Sequence, residues 1–106
     1  MSELGPVVDN VDDQHFELTV DDLTAFAAYE RDDGVIVFAH TEVPPQFQGK
    51  GVGAALARGA LDAARAEGAE VIPLCPFIAS YIRRHPEYLD LVSERNQQRF
   101  KLNATR

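Results

Sequence analysis

The sequence predicts a mixed α/β domain, an antiparallel meander of strands followed by an α-β-α unit. Three observations point there. Residues 15–43 break into runs whose apolar positions alternate, residues 52–66 carry theirs at helical spacing, and prolines and glycines stand where one pattern gives way to the next.

Each element follows from its residues. Residues 1–14 are acidic and without periodicity, and are expected to form a flexible, unpacked leader. In "HFELTV" the residues Phe16, Leu18 and Val20 share one face, as in a half-buried strand. Leu23 to Arg31 continues as a second strand, and "RDDG" supplies a turn before the third, "VIVFAHTEV". That strand must stop near Val43, because Pro44 and Pro45 donate no ladder hydrogen bond. From Val52 to Ala66, Val52, Leu56, Ala60 and Ala63/Ala64 fall on one helical face, and Gly68 suits the C-terminal cap. "AEVIPLC" reads as a short fourth strand, with Pro73 marking an edge or a bulge. Pro76 then opens a second helix, "PFIASYIRR", which ends before "HPEY". Ser93 to Arg106 is polar, with Phe100 and Leu102 as its anchors, and reads as a short helix or a disordered tail. The folded domain is therefore expected over residues 15–92, between leader and tail.

Composition excludes several function classes. At 106 residues the chain can bury one core. Its net charge of −7 disfavours phosphate-backbone binding, so nucleic acid is not an expected partner. The acidity favours a cationic ligand, although a solubilising surface accounts for it equally well. No apolar run is long enough to span a membrane, and "MSELGPVVDN" lacks the features of a signal peptide, so a cytoplasmic location is expected. One cysteine and three histidines show no metal-ligand spacing.

The chemistry concentrates in "PQFQGKGVG". Gly49, Gly51 and Gly53 lead from a proline-stopped strand into the first turn of a helix, where amides have no internal partner and the helix dipole favours negative charge. Glycine there allows unusual torsions and close approach, and a pyrophosphate suits such a site. Val52 stands where a Walker loop needs Ser or Thr. Gly49, Gly51 and Ala54 do satisfy the loose dinucleotide pattern G-x-G-x-x-[G/A]. The preceding antiparallel strands argue against that reading, as does the lack of an acidic residue at the end of the next strand.

Gln48-Gly49-Lys50-Gly51-Val52-Gly53 matches the [Q/R]-x-x-G-x-[G/A] signature of the GCN5-related N-acetyltransferases. With "PLCPF" and "HPEY", the segment from about 15 to 92 resembles the small single-domain subgroup related to N-acetyltransferase domain-containing protein 1. The resemblance implies a minimal fold of that family and acetyl-coenzyme A as the acyl donor. It implies that the backbone of Gln48, Gly49, Lys50, Gly51, Val52, Gly53 and Ala54 holds the pyrophosphate. It also implies that the strand ending at Val43 splays from "EVIPLC" to receive the pantetheine arm.

Amide formation from a thioester needs a neutral amine and a proton for the leaving thiolate. Cys75 stands at the expected start of the second helix, where the dipole favours a thiolate, and two roles are open to it: acyl carrier or small buried apolar group. Tyr81 is a candidate proton donor or a core aromatic paired with Phe77. His40 and Glu42, two apart on one strand, are candidate proton acceptors or a solvated strand end. Arg83 and Arg84 are within reach of cofactor phosphates or simply cap helix carbonyls. The function expected is N-acetyl transfer to a small-molecule or peptide amine. The alternative is a coenzyme A-binding module without efficient transfer.

Overall fold

The computed structural model describes residues 5–102. A five-stranded sheet runs in the order β1 (Val8–Asn10), β2 (His15–Val20), β3 (Leu23–Asp32), β4 (Val35–Glu42), β5 (Glu70–Pro73). The first four strands pair antiparallel, and β5 joins the edge parallel to β4. Helix α1 (Val52–Ala66) makes the crossover from β4 to β5. After β5 come α2 (Pro76–Arg84), a 3₁₀ turn at Pro86–Leu91, and α3 (Glu94–Arg99).

Tight turns set the meander's register. Val20 pairs with Leu23 and Asp32 with Val35, leaving two-residue loops. Asp33 and Gly34 both have positive φ, which matches the right-handed twist of the flanking strands. Alternation then sends Phe16, Leu18, Ala25, Ala27, Ile36 and Phe38 to one face, where they are buried. Against that face α1 lays Leu56, Ala60, Leu61 and Ala64, its alanines allowing close approach, and α2 adds Ile78 and Ile82. Each large apolar side chain buried there contributes about 1.5–3 kcal/mol.

One expectation about the ends is corrected, and at the other end the structure takes the helical one of the two expected forms. Within the expected unpacked leader, residues 7–10 are packed: Val8–Asn10 is a strand on β2, and Tyr29 and Arg31 hydrogen-bond Asp9. Val7 lies so close over α1 that a Cβ on Gly59 would stand 2.4 Å from its Cγ2. Residues 1–4 of the expected leader lie outside the described residues. The polar tail folds back as a helix. Ser93 caps α3 by accepting from the Asn96 amide, Arg83 donates to the carbonyls of Phe100 and Lys101, and Leu102 is buried. Residues 103–106 lie outside the described residues.

Candidate active site

The site begins where β4 changes partners. From Val35 to Phe38, β4 is flanked by β3 on one side and β5 on the other. At Ala39 the β3 register shifts: Tyr29 pairs with Phe38, but Ala28 pairs with His40. The extra residue is a β-bulge, which bends the strand and inverts its facing. On the other side β5 ends at Pro73, and its last tie is the Cys75 amide donating to the Phe38 carbonyl at 2.9 Å. Beyond that point His40–Glu42 pairs with β3 alone, so β4 and β5 part. The sequence reading of β5 as an edge element agrees with this arrangement.

The bulge decides which side chains enter the gap. Simple alternation from Phe38 would turn His40 and Glu42 toward the helices. Instead Thr41 pairs with buried Ala27 and takes the helix-side position, its Oγ1 3.1 Å from Cys75 Sγ. His40 and Glu42 share a face as expected, but it is the opposite one from Cys75. They are exposed and bonded to each other, Nε2 to Oε2, at 2.9 Å. Sequence reasoning missed Thr41, because residue types carry no sign of the bulge.

Below the gap, Pro45–Phe47 forms a 3₁₀ turn that delivers the chain to Gly49. Gly49 and Gly51 have φ of 77° and 76°, and a Cβ on either would meet nothing within 4 Å. Their need is torsional, and their outward side is open. Gly51 is the N-cap of α1 and no side chain caps it, so the amides of the first turn face outward. Gly53 has a different cause. A Cβ there would stand 2.8 Å from Phe77 Cζ and 3.5 Å from Val43 Cγ2, so its bareness lets α1 pass α2 and the end of β4. Gln48, Gly49 and Gly51, with Val43, Phe77 and Arg84, line a recess of about 300 Å³. Val52 is buried in the core, Ala54 is exposed on the recess, and Lys50 is exposed. The open glycine backbone, uncapped helix start and adjacent Arg84 form a donor set that fits a phosphate group.

Cys75 is the N-cap of α2 and only 3% exposed. Tyr81 is also buried, but its contacts lie elsewhere. It stacks on His85 at 4.1 Å and engages Arg58 of α1, which holds that guanidinium above its ordinary pKa. Tyr88 donates to Asp62 of α1, and burial followed by that bond pushes its pKa up to about 12. Arg83 is spent on the carboxyl-terminal carbonyls, whereas Arg84 lines the recess. Among the described residues no group of three or more His, Cys, Asp or Glu could hold a metal, and no helix is long and apolar enough to cross a membrane.

The family model for GCN5-related N-acetyltransferases matches residues 15–91. The chain therefore belongs to that family. No curated protein sequence matches it.

Proposed function

We propose that the chain is an acetyl-coenzyme A-dependent N-acetyltransferase of the small single-domain subgroup, with the recess and the β4–β5 gap as one continuous site. The observation that carries this reading is the parting of β4 and β5 after Phe38, with Val43 at the free end of β4 lining the same recess as the glycine turn that opens α1. Acetyl-coenzyme A supplies a thioester carbonyl as the electrophile. The amides from Gly49 to Ala54 bind its pyrophosphate, and Arg84 adds a cation on the same recess. The main chain of Ala39–Val43, free of β5, offers donors and acceptors to the pantetheine arm.

Cys75 and Thr41 then bracket the reacting end. Cys75 Sγ stands at the start of α2, and the Thr41 hydroxyl lies 3.1 Å from it within hydrogen-bond reach. His40 and Glu42 stand on the other face of the same opening, where an amine arriving from that side can give up its proton to the pair. Attack by the neutral amine forms the C–N bond, breaks the C–S bond and releases a thiolate, which takes up the proton that the attacking nitrogen sheds.

A specific observation favours the second reading, a coenzyme A-binding module with little transfer. Tyr81, the candidate proton donor, is turned to Arg58 and His85, and Cys75 is only 3% exposed. Acetyl transfer to a panel of small and peptide amines, with Cys75→Ala, Thr41→Val and Tyr81→Phe beside the unaltered chain, separates the two. Transfer lost in a variant that still binds coenzyme A supports the enzyme. No transfer by the unaltered chain to any amine supports the module.

A further inference from the structure

The helices cover one face of the sheet and leave the other bare. On the bare face, Glu30 of β3 lies beside Val37 and then Ile72, and Asp32 lies beside Val35 and then Glu70. Val35, Val37 and Ile72 are half-buried but stand outside the core cluster, and Leu74 is 47% exposed. Beyond the bulge the face continues with Phe26, stacked on His15 at 4.1 Å and edged by His40. The result is an apolar strip along β4 flanked by carboxylates on the neighbouring strands.

Its charge is one-sided. Residues 1–43 contain eleven acidic side chains and a single cation, Arg31, whereas residues 44–106 contain nine Lys or Arg against six acids. Arg31 lies on the helix side, bonded to Asp9 and Glu67. Glu30, Asp32 and Glu70 have no ion pair among the described residues, while Glu17 and Glu42 are ion-paired only with histidines.

We propose that this face docks a basic amphipathic helix of a partner protein. Strands are about 4.8 Å apart, so the flanking carboxylates of β3 and β5 stand roughly 10 Å from each other across β4. A helix about 10 Å wide fits that spacing, its apolar stripe on Val35, Val37 and Ile72 and its Lys or Arg residues beside Glu30, Asp32 and Glu70. A second copy of this chain is a poor occupant, because it would set like charges against each other. Nucleic acid and anionic membranes are repelled for the same reason.

The test is a nuclear magnetic resonance titration of the full chain with two synthetic helical peptides of identical Leu pattern, one with Lys and one with Glu at the polar positions. The Lys peptide should move the amides of Phe26, Val37 and Ile72, bind at least tenfold tighter than the Glu peptide, and weaken as salt rises. A Glu30→Lys/Glu70→Lys variant, altered only at the surface, should lose the Lys peptide by tenfold or more. Equal binding of both peptides, shifts confined to the helices, or self-association of the chain through this face would each overturn the proposal.

Discussion

The two halves of β4 make an instructive contrast. Val35–Phe38 is held on both sides, alternates as its residues suggest, and buries Ile36 and Phe38 completely. His40–Glu42 is held by β3 alone and runs in the opposite phase. The first half is a structural strand, and the second is a strand edge opened next to a helix start. One inserted residue separates them. The lesson is that a bulge can exchange the side chain that faces the helices for its neighbour, here Thr41 for His40, with no change in the residues themselves.

The contrast can be broken or sharpened by substitution. Phe38→Ala removes a buried ring from the doubly held half and should cost about 3–5 kcal/mol in urea denaturation. A cost below that of Thr41→Val would mean the two halves are not different in kind. Gly51→Ala forces a Cβ into a left-handed conformation and should cost about 1–2 kcal/mol, while weakening coenzyme A binding in calorimetry. Undiminished binding would detach the glycine turn from the ligand.

Thr41→Val removes one hydrogen bond in the gap and should cost about 1 kcal/mol of stability. Its larger signature should be in turnover. Tyr88 provides a control remote from the gap. Its pKa is about 12 when folded against 10.0 ordinarily, so the folded state holds the proton more tightly. That stability is present below pH 10 and is lost as pH rises from 10 toward 12, and Tyr88→Phe should flatten the slope in alkaline melts. The flattening should be the same with and without coenzyme A. Last, Glu42→Gln should leave stability within about 0.5 kcal/mol, since the side chain is exposed on the bare face.

Much of this was legible in the residues. The spans of α1 and α2 follow from helical spacing bounded by Gly51, Gly68, Pro76 and Pro86, because breakers and caps are local signals. The glycine turn was legible too, although the close approach of Phe77 to Gly53 was not. What could not be read was nonlocal. The strand at Val8–Asn10 depends on β2 and on Val7 meeting Gly59 across the fold, and three residues are too few to show alternation. The bulge at Ala39 depends on β3's register, and the turning of Tyr81 toward Arg58 depends on how α1 and α2 cross.

The most direct test of the central claim, that the glycine turn and the β4–β5 gap form a coenzyme A site, is a thermal-unfolding series with acetyl-coenzyme A, coenzyme A and NAD. At a hundred times its dissociation constant a ligand adds about 2.7 kcal/mol, a melting shift on the order of 10 °C for a domain this size. The account predicts that shift with both coenzyme A species, a smaller one in Gly51→Ala, and none with NAD. No shift with either coenzyme A species would contradict it, and the glycines would then be a turn and nothing more.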